Sequence, residues 1–138
     1  MLEFNLFLID YWYFSVPLFF FIFLFAYSEM NKGGKKIEPN ELTRLVNKEN
    51  AILIDLRKKE DYENGHIMTA LNYPHQEFDN QMHELEKFKD RPIILVCDMG
   101  RNSANIGEKL KKSEFEKTFR LNGGMMTWTQ ENLPVVQK

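Results

Sequence analysis

The chain has 138 residues and a single cysteine, Cys97. A lone cysteine forms no internal disulfide, so nothing points to an oxidising compartment or a stapled fold. The three histidines, His66, His75 and His83, have no metal-ligand spacing. With one cysteine beside them they make no zinc or iron–sulfur ligand set, and no metal or other cofactor is expected. Lys and Arg total 18 against 20 Asp and Glu, a formal net charge of −2. That balance leaves no basic stripe for a nucleic acid. Internal repeats are missing too. The first 31 residues hold no Lys or Arg at all.

What those residues do hold is an apolar run. Residues 11–27 read YWYFSVPLFFFIFLFAY, without a charge. Seventeen residues is the low end of what spans a hydrocarbon core of about 30 Å. Leu6 to Ile9 can extend the run, which brings Asp10 near the interface. Pro17 is tolerated in a membrane span, where it can kink the helix. Trp12 and the terminal tyrosines suit the headgroup level. Basic residues begin only at Lys32, Lys35 and Lys36, so the positive-inside rule places the C-terminal part in the cytoplasm. A cleaved signal peptide is the competing reading, since Ala26-Tyr27-Ser28 has the small-x-small form. The missing basic n-region and the length of the run argue against it. The near-absence of polar residues argues against a buried core helix. The expected organisation is an anchor over 1–27, a polar linker over 28–36 and one domain over 37–138.

Beyond the linker the hydrophobic pattern alternates between two periods. Helices are predicted over Pro39–Asn47, Lys59–Asn64, His75–Lys87, Asn102–Lys112 and Met125–Glu131. Pro39 sits where its missing N–H does no harm. Short apolar strands are predicted at Ala51–Asp55, Thr69–Asn72, Pro92–Val96 and Thr118–Leu121. Strands that lack a polar face and alternate with helices argue for an α/β domain with a mostly parallel sheet.

Cys97 follows the clearest of these strands, and the next helix begins a few residues later. It therefore falls at the carboxyl end of a parallel strand, where open α/β sheets bind ligands. The loop Asp98, Met99, Gly100, Arg101 is short enough to turn its amides toward one centre. The free N–H groups of the helix start add positive charge there, and Arg101 can add a full charge. Each favours a thiolate over a thiol. Gly100 permits a backbone conformation that a side chain would obstruct. A buried, inert cysteine remains the other reading, since free cysteine is among the most buried residue types. A cysteine phosphatase is excluded by spacing. That loop needs Cys-x5-Arg, and here Ser103 holds the arginine's position.

Three stretches carry a resemblance: LIDLRKKEDYENGHIMTALN (53–72), ILVCDMGRNSA (94–104), and LNGGMMTW (121–128) followed by ENLPV. Order, spacing and residue types over Ile37–Val135 are similar to those of a rhodanese domain. A single span before one such domain resembles membrane-anchored bacterial rhodanese-like proteins. The resemblance implies a five-stranded parallel sheet with helices on both faces. It also implies sulfur transfer through a persulfide on the loop cysteine. Cys97 matches the nucleophile. Asp98, Met99, Gly100, Arg101 and Asn102 complete a six-residue loop whose amides would hold the substrate anion or the persulfide. Ser103 matches the small polar residue opening the helix. Asp55 and Arg57 match the Asp-x-Arg pair, and Gly65-His66-Ile67 the Gly-His-Ile turn, all read as structural support. Trp128 and Met125 read as a packing pair. Lys109, Lys111 and Lys112 read as a solvated helix face.

Two positions depart from the family pattern. Asp98 and Asn102 stand where many thiosulfate-using members carry basic residues. At an effective dielectric constant of about 20, two like charges ~4–5 Å apart repel by roughly 3–4 kcal/mol unscreened. Asp98 therefore opposes both the thiolate and a dianionic donor. The expected protein is a single-pass inner-membrane sulfurtransferase with its domain in the cytoplasm. Its expected partners are a small sulfur donor (thiosulfate or a persulfide) and a thiol or cyanide acceptor. The alternative is a membrane-tethered module that binds a partner protein, in which Cys97 is dispensable.

Overall fold

The computed structural model describes residues 1–30 and 32–137. Asn31, in the expected linker, and Lys138, the expected end of the domain, lie outside the described residues. The chain forms two compact units, 1–31 and 32–138.

The first unit is helical. Helix α1 runs Leu2–Asp10 and α2 runs Trp12–Met30, with a break at Tyr11. The 19 residues of α2 are long and apolar enough to cross a membrane, and none of them is buried. At 1.5 Å per residue the helix measures about 28 Å, close to the hydrocarbon thickness. Pro17 is accommodated inside α2 without ending it.

The second unit contains β1 (Lys35–Ile37), α3 (Pro39–Glu49), β2 (Ile52–Asp55), α4 (Lys59–Asn64) and β3 (Leu71–Asn72). The chain continues as α5 (Phe78–Gln81), a 3-10 helix over Met82–Phe88, β4 (Ile93–Val96) and α6 (Arg101–Lys112). It closes with β5 (Thr118–Leu121) and α7 (Gly124–Gln130). The strands form one five-stranded sheet in the order β1-β5-β4-β2-β3, and every pairing is parallel.

Alternate side chains of β2 and β4 feed two separate cores. Leu53, Ile94 and Val96 face one side, with Leu42 and Leu45 of α3 and Met125 and Trp128 of α7. Ile52, Ile54, Ile93, Leu95 and Cys97 face the other, with Phe78, Leu85 and Ile106 and Leu110 of α6. The sheet thus has helices on both faces, and Trp128 and Met125 share one core as the pattern predicts.

Three elements differ from the sequence reading. The linker over 28–36 is shorter, because α2 extends to Met30 and Lys35 and Lys36 belong to β1. A strand of sequence KKI has no hydrophobic alternation to betray it. It forms because the edge of β5 is open and the chain approaches closely. A Cβ at Gly107 would lie 1.7 Å from the Gly33 carbonyl oxygen, so α6 and the entry to β1 pack backbone to backbone. The helix expected over His75–Lys87 is a short α5 followed by a 3-10 helix. Met82, Leu85 and Phe88 recur every third residue, which aligns them on a 3-10 helix. All three pack on the core. Strand β3 is two residues rather than four, because Thr69 has φ +74°, which no strand accommodates.

Candidate active site

The connection after β2 leads to α4, whose Tyr62 packs on the first core. The connection after the neighbouring strand β4 leads to α6 on the second core. Adjacent strands whose connections leave toward opposite faces open a crevice beyond their carboxyl ends. A cavity of about 210 Å3 lies there. Among the described residues its wall is Leu56, Arg57, Lys58, Asp61, His75, Cys97, Asp98 and Asn102. A cleft of about 590 Å3 beside Lys59 and Glu60 is larger, but the sheet-edge cavity holds the chain's one thiol.

Cys97 is 2% exposed. The Gly100 N–H donates to its Sγ at 2.9 Å, so the loop already bends an amide onto the sulfur. That bend needs Gly100 at φ +88°, in the left-handed region that favours glycine. Gly100 is also the N-cap of α6, and no side chain caps that helix. The positive end of α6 therefore faces the sulfur's loop. Ser103 is fully buried, and its hydroxyl donates to the Gly100 carbonyl at 2.8 Å, fixing the turn from inside.

A second clamp holds the loop from the start of α7, just after β5. Met125 N–H donates to the Cys97 carbonyl at 2.7 Å and Met126 N–H to the Asp98 carbonyl at 3.0 Å. The start of α7 thus grips the two successive peptide units that follow Cys97, on either side of Asp98. The grip depends on Gly124, at φ +58°. A Cβ there would stand 2.1 Å from the Cys97 carbonyl oxygen. In the sequence, Gly123-Gly124 reads as a strand breaker. Its role against the loop is a long-range contact that no local pattern carries.

The opposite wall rests on a buried ion pair. Asp55 is 1% exposed and Arg57 Nη2 lies 2.8 Å from its Oδ2. Arg57 also donates through its backbone N–H to Oδ1 at 2.9 Å and through Nη2 to the Gly65 carbonyl at 2.6 Å. These bonds tie the end of β2 to the end of α4 and turn Arg57 into the cavity wall. His66 is away from the cavity. Its Nδ1 lies 2.7 Å from the Tyr62 carbonyl, its ring stacks on Tyr62, and its backbone pairs with Val136.

The predicted loop is therefore divided. Cys97, Asp98 and Asn102 reach the cavity wall, with Arg57 opposite. Gly100 and Ser103 act from behind the loop, and Met99 and Arg101 are solvent-exposed beyond the wall. Lys58, Asp61 and His75 were not singled out for this site by the sequence. His75 is held by its backbone N–H donating to the Leu56 carbonyl at 3.0 Å. The signal available for them was position, since all three lie just past β2 or β3, at the edge where Cys97 ends β4. Among the described residues, no group of three or more His, Cys, Asp or Glu is placed to hold a metal.

Fold and loop together define a class: an α/β domain that sets one buried thiol against a loop amide at the carboxyl edge of a parallel sheet. The chain belongs to the rhodanese family; residues 38–131 match its rhodanese-like domain. It is 35% identical over 123 residues to the uncharacterized protein YibN of Escherichia coli K12, covering 88% of this chain and 86% of YibN. The thiosulfate sulfurtransferase GlpE of Shewanella oneidensis is 26% identical over 98 residues, covering 71% of this chain and 95% of GlpE. In fold, the chain resembles a rhodanese-related protein from Thermoplasma volcanium. Their TM-score is 0.68 at 24% identity, over 75% of this chain and 99% of that one.

Proposed function

We propose that this chain is a membrane-anchored sulfurtransferase that carries sulfane sulfur on Cys97. The observation that carries the reading is the Gly100 amide donating to Cys97 Sγ at 2.9 Å. A hydrogen bond to the ionised form favours that form. In the first half-reaction the Cys97 thiolate attacks the outer sulfur of thiosulfate or of a persulfide. A new S–S bond forms on Cys97, the donor's S–S bond breaks, and sulfite or a thiolate leaves with the bonding pair. In the second, an acceptor thiolate or cyanide takes the outer sulfur and returns the thiolate of Cys97. Two half-reactions through a covalent intermediate predict ping-pong kinetics. Asp98, Met99, Gly100, Arg101, Asn102 and Ser103 make up the binding loop, supported by Asp55, Arg57 and His66. Helix α2 serves as the anchor, with the domain on the cytoplasmic side of the inner membrane.

The exposed Asp98 carboxylate on the cavity wall favours a second reading, a tethered module that binds a partner protein without chemistry. Intact mass of the full chain in detergent, after incubation with thiosulfate or a persulfide donor, separates the two. The expected result is a gain of one sulfur atom, removed by cyanide and absent in Cys97→Ser. Gain with the persulfide alone assigns donor choice to Asp98. No gain with either donor on folded protein overturns the sulfurtransferase reading and leaves the binding module.

A further inference from the structure

Arg120 lies in β5 and is 4% exposed. A buried cation is costly unless hydrogen bonds and an opposite charge match it. Among the described residues its guanidinium has one hydrogen-bond partner, the Gly34 carbonyl, which accepts from Nε at 3.2 Å. No carboxylate among them pairs with it. The register shows which sheet face it shares. Arg120 pairs with Leu95 in β4. Its chain neighbours Phe119 and Leu121 pack on the first core, whereas Leu95 and Cys97 lie on the second. Arg120 therefore shares a sheet face with Cys97, one strand over and two residues back in register. Burial pushes the guanidinium below its usual range, and the negative charge that Cys97 can carry pushes it back up.

We propose that Arg120 is the buried counter-ion of the Cys97 sulfur, a positioning residue that keeps it anionic as thiolate and, on the sulfurtransferase reading, as persulfide. This accounts for a loop that tolerates Asp98. The Asp98 carboxylate is in solvent, where water and salt weaken its repulsion, while Arg120 acts through the interior, where screening is poor. The other charged or titratable groups around the sulfur are Arg57 and Lys58 after β2, Asp61 on α4, His75 after β3 and Arg101 at the start of α6. Lys58, Asp61 and Arg101 are exposed, and Arg57 is already paired with Asp55.

The test is alkylation of Cys97 by iodoacetamide at neutral pH, on the full chain in detergent, with no sulfur donor present. Removing a nearby opposite charge in Arg120→Met should slow alkylation about tenfold, and Arg120→Lys should recover most of the rate. A side chain that merely caps the Gly34 carbonyl would change stability and leave the rate alone. Arg120→Met that folds and alkylates at the wild-type rate overturns the proposal. If Arg120→Met does not fold, Arg120→Gln removes the charge and keeps an N–H for Gly34. The unmodified chain gives an independent reading. A buried pair is poorly screened, so its rate should stay within about twofold between low and high salt. A several-fold fall in high salt assigns the ionisation to exposed Lys58 or Arg101 and overturns the proposal. The two ideas fail separately. Wild type that gains sulfur beside an Arg120→Met that alkylates normally refutes only the counter-ion. Wild type that gains no sulfur beside a slowed Arg120→Met refutes only the sulfur transfer.

Discussion

Replacing Asp55 by alanine removes one half of a buried ion pair and leaves the other half in place. Asp55 is 1% exposed and the Arg57 side chain 9%. In Asp55→Ala the guanidinium loses every acceptor it has on that carboxylate and keeps the Gly65 carbonyl. Stranding a buried charge in this way costs about 3–5 kcal/mol. At roughly 4–8 °C per kcal/mol for a domain near 100 residues, the melting temperature should fall by more than about 10 °C. Urea unfolding followed by Trp128 fluorescence measures the loss. Trp12→Phe serves as the reference background, because Trp12 and Trp128 are the only tryptophans. The double variant Asp55→Leu, Arg57→Met removes both charges and replaces them with apolar bulk, and it should recover most of the stability. It also strips a cation from the cavity wall, so stability and sulfur loading should part company in that variant. A loss below about 1 kcal/mol in Asp55→Ala, the range of an exposed pair, would refute the assignment of Asp55 and Arg57 as the frame of the cavity.

Gly124→Ala places a Cβ 2.1 Å from the Cys97 carbonyl oxygen at a residue with φ +58°. The left-handed backbone alone costs roughly 1–2 kcal/mol, and the overlap adds to it. The variant should melt lower and load less sulfur, and wild-type behaviour in both would show that α7 does not hold the loop. Tyr62 donates its hydroxyl to the Ala70 carbonyl at 2.6 Å, and burial, aided by the Asp55 carboxylate, raises its pKa above the ordinary value of 10.0. The folded protein therefore keeps the phenol proton where the unfolded chain has lost it. Stability from this source is complete below about pH 10 and declines as pH rises through the raised value. Tyr62→Phe should cost about 0.5–1.5 kcal/mol at neutral pH and flatten the alkaline decline. Equal alkaline slopes in urea titrations of the two proteins would refute this account.

Much of the protein is set by local sequence. Four of the five strands, the α/β class and the place of Cys97 at a sheet edge follow from short apolar runs that alternate with helical periods. Lys59–Asn64 forms a helix over the residues its polar, Gly-terminated pattern predicts. The length and apolarity of α2 are a property of composition alone. What tertiary structure decided is everything that depends on which strand lies beside which. Strand β1 exists because β5 offers a free edge, and the glycines of its approach let backbones touch. Gly124 meets the Cys97 carbonyl, 27 positions earlier in the chain, because β5 lies beside β4. Lys58, Asp61 and His75 become cavity wall because β2 and its neighbours end at the same edge as β4. Arg120, an ordinary cation in the sequence, comes to share a sheet face with Cys97 through the parallel register of two strands. Periodicity reports which side of an element is buried, and only the pairing of elements reports what that side is buried against.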